Sequence, residues 1–286
     1  MFPDALTVKI APPLNAALDA LISDYGHLFR AGADALLAVL VGVEGVLRGA
    51  PWWLVIGVLA ALAYAGARTR RGGATGAAGT AAALFAIGVL GLWDAAMQTL
   101  ALMLLATVLC ALIGVPLGVL MARRPRVGAG LRPVLDAMQT LPSFVYLIPA
   151  MMLLGLGKVP ALLATVIYAL PPVARLTDLG LRQANAEAVE AADAYGATPR
   201  QKLWLVELPL ALPSVMAGLT QAILLALSMV VVAAMIGARG LGEEVLLGIQ
   251  RLDVGRGVAA GLAIVALAVV VDRLAQSYAR KLGPVR

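Results

Sequence analysis

The segment Ala95–Met121 reads AAMQTLALMLLATVLCALIGVPLGVLM and carries no charge. About 20 apolar residues in a helix cross the roughly 30 Å hydrocarbon layer of a bilayer. This run is long enough, and a helix pairs its own backbone groups where lipid offers no partner. The apolar run from Val258 to Val271 reads the same way. The ten-residue alternation of a membrane β-barrel is absent. The fold class expected is therefore an all-α polytopic membrane protein.

Composition agrees. The chain has 286 residues, 62% hydrophobic and 13% charged, and a mean hydropathy of +0.93. Soluble domains have about 45–50% apolar and about 25% charged residues. The excess excludes an ordinary soluble enzyme, a disordered chain and a nucleic-acid-binding module. A net charge of +6 then reports basic loops at a membrane face, with no nucleic-acid partner implied. One cysteine, Cys110, and one histidine, His27, make neither a disulfide nor a metal cluster. The N-terminal MFPDALTVKIAPPLN lacks the basic start and apolar core of a cleaved signal peptide.

Seven spans are expected, at about 51–67, 74–92, 95–121, 137–156, 159–177, 209–236 and 255–276. The stretch 32–48 is apolar but short, with Asp34, Glu44 and Arg48. It reads as an interfacial amphipathic helix, with an eighth span as the alternative. This divides the chain into an N-terminal tail, 1–50, and a membrane domain, 51–286. Loops near 68–73, 122–136 and 178–208, the C-terminus and the adjoining helix ends hold 15 of the 22 basic residues. The positive-inside rule places that side in the cytoplasm. Seven spans then put the N-terminus outside and the C-terminus inside.

Proline and glycine mark special backbone. Pro142 and Pro149 interrupt the fourth span and Pro171-Pro172 end or break the fifth, since proline removes a donor and crowds the preceding turn. Broken helices often line transport pathways, although a packing kink explains them equally well. Gly114-x-x-x-Gly118 and Gly257-x-x-x-Gly261 permit close helix contact.

One interruption, 179–208, carries a mechanism. Alanine and alternating charge make it helical, and Gly196 and Pro199 divide it. A short helix is expected over Ala184–Tyr195, stopped by a left-handed Gly196. Thr198, Pro199 and Gln201 form a capping-box pattern that opens a second helix. The resulting elbow exposes Ala191 and Ala192 beside Glu187, Glu190 and Asp193. Small residues let a partner approach closely, while charges fix register; a solvated connecting loop is the plainer alternative.

The spacing Glu190-Ala191-Ala192, three residues, Gly196, nine residues, Val206-Glu207-Leu208-Pro209 resembles the EAA loop of ABC-importer permeases. The blocks Met138–Pro149, Ala169–Thr177, Ala226–Val231, Gly240–Gly242 and Gly248–Asp253 resemble permeases of proline/glycine betaine and choline importers. Together they cover about residues 90–275. The resemblance implies a type I importer bundle of about seven transmembrane helices in the bacterial inner membrane. It implies a homodimer, a separate ABC ATPase that binds ATP-Mg and docks on Glu190, Ala191, Ala192, Gly196 and Pro199, and an extracytoplasmic binding protein. Uptake of glycine betaine, choline or a related osmolyte would serve osmoprotection or nutrition. It also implies that 237–242 is a re-entrant or gate segment, an ordinary outer turn being the alternative.

This chain shows no phosphate cradle of its own: Gly157-Lys158 is followed by Val159, and Met152 stands where the loop's first glycine belongs. No catalytic residue, cofactor or metal site is expected in it. Ser143, Phe144, Tyr146 and Met229 are candidates for the pathway, and Phe144, Tyr146, Tyr168 and Trp93 could face a quaternary ammonium by cation–π contact. The plainer reading of each of these aromatics is as a belt or packing residue. Asp136, Asp178 and Asp272 fall near helix ends, where charge is tolerated. A secondary transporter or channel is the competing class, disfavoured by the scarcity of mid-membrane acids; a scaffold without transport is disfavoured by the broken spans.

Overall fold

The computed structural model describes residues 11–67 and 69–282, and every regular element among them is helical. Helix α1 (Ala11–Gly49) is one helix of 39 residues, so the amphipathic stretch expected at 32–48 is the last part of a longer element. Near its end Leu40 and Glu44 are buried, whereas Tyr25, His27 and Leu28 are exposed. Pro51 turns the chain by 105° into α2 (Trp52–Gly66). Fifteen residues rise about 22 Å, so α2 alone falls short of the hydrocarbon thickness. It packs against α3 (Arg70–Val89), which is opened by Thr69 accepting from Gly72 N at 3.2 Å.

The interior is a three-helix seam. α7 (Lys158–Arg182) lies between α4 (Trp93–Arg123) and α10 (Leu208–Ala234) and buries Leu162, Val166 and Val173. Glycine sets the approach. A Cβ on Gly118 of α4 would lie 2.5 Å from Ala174 O, and one on Gly218 of α10 would lie 3.0 Å from Pro172 O. The first expected glycine pair therefore works as a packing seam. In the second, Gly257 faces Gly248, but a Cβ on Gly261 would meet nothing within 4 Å; that glycine brings no helix close among the described residues.

Of the two expectations about proline, one needs correction and the other is met in part. Pro171-Pro172 do not break the fifth span, because α7 runs through them to Arg182. Both prolines are buried between α4 and α10, and that packing holds the helix in line. The fourth span is interrupted at Pro142 as expected, whereas Pro149, also expected to interrupt it, lies within a helix. α5 (Pro125–Thr140) stops, a 3₁₀ turn follows at Ser143–Tyr146, and α6 (Leu147–Leu154) leaves at 110° to α5. Pro142 cannot donate to Met138 O, its partner four residues back in a continued helix; the Tyr146 hydroxyl donates to that carbonyl instead. Among the described residues, five helices are long and apolar enough to cross a membrane, or up to seven if each bent pair is one span.

α11 (Leu241–Gln250) is a ten-residue helix between α10 and α12 (Val254–Leu282). Its first amide, Leu241 N, donates to Thr99 Oγ1 of α4 at 2.9 Å. Segment 237–242 forms the turn before it, with Gly240 at φ +135° and Gly242 pressed on Val230. The starts of α4, α7 and α11 thus share one end of the bundle. The opposite end carries the elbow.

Candidate functional site: an exposed two-helix elbow

The elbow forms as its local chemistry dictates. α8 (Ala186–Ala194) starts at Asn185, whose side chain accepts from Ala188 N at 3.1 Å. Glu187 lies in its first turn, where a negative charge complements the helix dipole. The helix starts two residues later than expected because Asn185 takes the cap. At its end Gly196 adopts φ +75°, Gly196 N donates to Asp193 O and Ala197 N to Ala192 O, both at 3.0 Å. This is the paired closure of a left-handed glycine cap. Thr198 then caps α9 (Pro199–Lys202), with Gln201 N donating to Thr198 Oγ1 at 3.4 Å and Thr198 N to Gln201 Oε1 at 2.9 Å.

The elbow is stiff inside and bare outside. Lys202 Nζ clips Asp193 at 2.8 Å, tying α9 back to α8. α8 buries no residue at all. Glu190, Ala191, Gly196 and Pro199 are exposed and Ala192 is half-buried, so all five expected coupling residues share one accessible unit. Tyr195, Trp204 and Leu205 stand out nearby at 93%, 65% and 72% exposure. A π-helical turn, Leu203–Glu207, joins α9 to α10 without a break. Leu208 N bonds back five residues to Leu203 O, and Pro209 after it has no N–H to give Leu205 O.

Charged residues absent from the expected set anchor both feet of the elbow. Arg123, at the end of α4, pairs with Glu207 at 2.5 Å. At the other foot, Asp178 is buried and accepts from Arg132 Nη2 of α5 at 2.9 Å and Arg182 Nε at 2.7 Å. Arg182 Nη2 also donates to Met121 O at 2.9 Å. That carbonyl lacks its helical donor because residue 125 is proline. One turn along, Asp136 of α5 pairs with Arg175 of α7. Asp178 is thus a buried junction, in place of the tolerated charge at a helix end expected from sequence. A proline four residues after a carbonyl was the one available signal for both Arg182 and Tyr146.

The pathway candidates divide. Tyr146 and Met229 belong to one buried cluster with Leu40, Leu147 and Ala161. Tyr146 and Tyr168 rings lie 6.2 Å apart. Ser143 is half-buried and Phe144 is 57% exposed. Trp93 lies elsewhere, lining an apolar recess of about 430 Å³ with Trp52 and Phe85. Glu44 of α1 pairs with Lys158 at the start of α7, a link between distant residues that the sequence did not announce. Among the described residues, no three His, Cys, Asp or Glu side chains come together.

A helical membrane bundle with such an elbow defines a membrane component of a transport system. The chain belongs to the family described as binding-protein-dependent transport system inner membrane components, whose pattern matches residues 114–284. It is 45% identical over 267 residues to the glycine betaine/proline betaine transport system permease protein ProW of Escherichia coli, covering 93% of this chain and 74% of that one. It is 40% identical to the glycine betaine transport system permease protein OpuAB of Bacillus subtilis, covering 94% of both. It is 52% identical over 189 residues to the glycine betaine/carnitine transport permease protein GbuB of Listeria monocytogenes, covering 66% of this chain and 67% of that one. Among solved structures, an inward-facing MetNI methionine ABC transporter matches with TM-score 0.60 at 22% identity, over 68% of this chain and 96% of that one. That likeness supports the type I bundle. The chain is a transport subunit of the inner membrane, and ATP hydrolysis resides in a separate ATPase.

Proposed function

We propose that this chain is the permease of an importer for glycine betaine, choline or a related quaternary ammonium osmolyte, with its ATPase docked on the elbow at 179–208. The single supporting observation is the elbow itself. It is internally fixed, exposed around Glu190, Ala191, Ala192, Gly196 and Pro199, and continuous through a π turn with a core helix. A solvated loop needs none of these features. The ligand class is supported by the names of ProW, OpuAB and GbuB.

Two copies are proposed, because an ATPase pair closing on ATP offers two grooves and each chain supplies one elbow; a two-fold arrangement then puts the pathway near the axis. The basic residues Arg71, Arg123, Arg124, Arg126, Arg200 and Lys202 lie on the loops and helix ends of the elbow side, supporting a cytoplasmic elbow and C-terminus with an external N-terminus. Closure of the ATPases would draw the elbows together and open the bundle outward. A binding protein would deliver ligand there, and hydrolysis would reverse the state, so the permease is a two-state element biased by both partners. Binding ATP-Mg falls to the ATPase; this chain's residues dock, transmit and line the path, for which Ser143, Phe144, Tyr146 and Met229 remain the proposed group.

The test is uptake of radiolabelled glycine betaine and choline into proteoliposomes holding the chain and its ATPase, with binding protein outside. Uptake that needs internal ATP and external binding protein is expected. Uptake without the ATPase would instead establish a secondary transporter or channel.

A further inference from the structure

The charged junction beside the elbow has a geometry that a surface ion pair does not need. Asp178 is almost wholly buried, and each of its oxygens receives a guanidinium from a different helix segment. Arg132 brings in α5. Arg182 brings in the end of α4 through Met121 O. Gly128 of α5 closes the junction, since a Cβ there would lie 2.9 Å from that same carbonyl. One turn along, Asp136 and Arg175 repeat the α5–α7 link with the charges exchanged between helices. A reciprocal pair of this kind fixes the register of two helices against sliding.

We propose that Asp178 is a positioning residue of the transport stroke. It clamps the ends of α4, α5 and α7 into one block, which carries displacement of the elbow to the bend at Leu141–Ser143. The block lies between two features already described: α7 ends four residues after Asp178 and leads into α8, while α5 ends at Thr140 where the chain bends by 110° toward Tyr146 and α6. Separating Asp178 from both arginines would leave a buried charge uncompensated, and losing either one strips a partner from one of its oxygens, a change costlier than losing an exposed pair. The block therefore moves as a unit, and the bend, where proline has removed the helical bond, absorbs the motion. Asp178 touches no ligand in this role; it acts through the register of α5.

The inference rests on the importer reading, and the experiment separates the two. The transporter is assembled with its ATPase and binding protein, in a Cys110→Ala background. Wild-type ATP-dependent glycine betaine uptake checks the importer reading by itself. In Asp178→Asn, the ATP hydrolysed per glycine betaine imported should rise about tenfold while the ATPase still co-purifies. Spin labels at Val134 and Leu179, both exposed on α5 and α7, should keep their separation between nucleotide-free and nucleotide-trapped states. In Asp178→Asn the same separation should broaden. An unchanged ATP-to-ligand ratio in the variant, or a wild-type label separation that changes with nucleotide, overturns the proposal. If Asp178→Asn fails to assemble, the exchange of Asp136→Arg with Arg175→Asp decides. Each single change should uncouple and the double should restore coupling; a double variant as uncoupled as the singles overturns the clamp.

Discussion

Replacing Gly196 with valine isolates the backbone of the elbow from its surface. Gly196 sits at φ +75°, and nothing lies within 4 Å of where a Cβ would be. A Cβ there therefore meets no steric obstacle among the described residues, and the cost it adds is conformational. An L-residue in the left-handed region pays about 1–2 kcal/mol, and β-branching raises this to about 2–3 kcal/mol. Escape to negative φ would break the bonds from Gly196 N to Asp193 O and from Ala197 N to Ala192 O, releasing the angle between α8 and α9. An energy of about 2–3 kcal/mol shifts the intact elbow against its released form roughly 30- to 150-fold. The assay is glycine betaine uptake per ATP hydrolysed in proteoliposomes, across a graded series. Asparagine tolerates the left-handed region, so Gly196→Asn should stay nearest wild type, Gly196→Ala should fall between, and Gly196→Val should uncouple most. Wild-type coupling in Gly196→Val, or asparagine as damaging as valine, would refute the conformational argument.

Two further outcomes follow from the same geometry. Glu190→Lys reverses a charge on the bare face of α8 and should reduce co-purification of the ATPase subunit; undiminished recovery would remove Glu190 from the docking surface. Gly118→Ala forces a Cβ to 2.5 Å from Ala174 O and from Thr177 Cβ, so it should destabilise the detergent-solubilised protein by about 1–3 kcal/mol, whereas Gly261→Ala, with open space around it, should leave the melting temperature unchanged. Equal melting temperatures for the two variants would contradict the seam.

The long spans were legible because length and hydropathy alone specify them. The run expected at 95–121 is α4, Trp93–Arg123, and that at 209–236 is α10, Leu208–Ala234. The elbow was legible for a different reason. Its stop and start are local: Gly196 ends one helix, and Thr198, Pro199 and Gln201 open the next within a few residues. Proline was only partly legible, because its effect depends on neighbours: the break at Pro142 follows from the sequence, the continuity through Pro171-Pro172 does not. Pro142 sits where a tyrosine hydroxyl can serve the carbonyl it strands, so the helix ends there. Pro171 and Pro172 are packed among α4 and α10, so the helix continues. Two of the ion pairs were hidden because they join residues far apart, 114 positions for Glu44 and Lys158 and 84 for Arg123 and Glu207. Apolar periodicity says nothing about such pairs.

The way the elbow is joined to the bundle determines what its movement can do. Its first foot is the end of α7 and its second passes through the π turn into α10, so one displacement enters two adjacent core helices together. Those helices meet through backbone contacts with little flexible side chain between them. A Cβ on Gly180 of α7 would lie 2.6 Å from Ser214 Cβ of α10, and one on Gly218 of α10 would lie 3.0 Å from Pro172 O of α7. Close-packed interfaces of this kind shift between discrete arrangements instead of deforming continuously. If the elbow couples an ATPase as proposed, α7 and α10 would move as a pair. At the far end the same pair is joined again, where Gly157 N at the start of α7 donates to Ile236 O beyond the end of α10 at 2.8 Å. On that proposal a pull at the elbow would reach the opposite end along two helices tied at both ends, with the bend between α5 and α6 as the compliant element beside them.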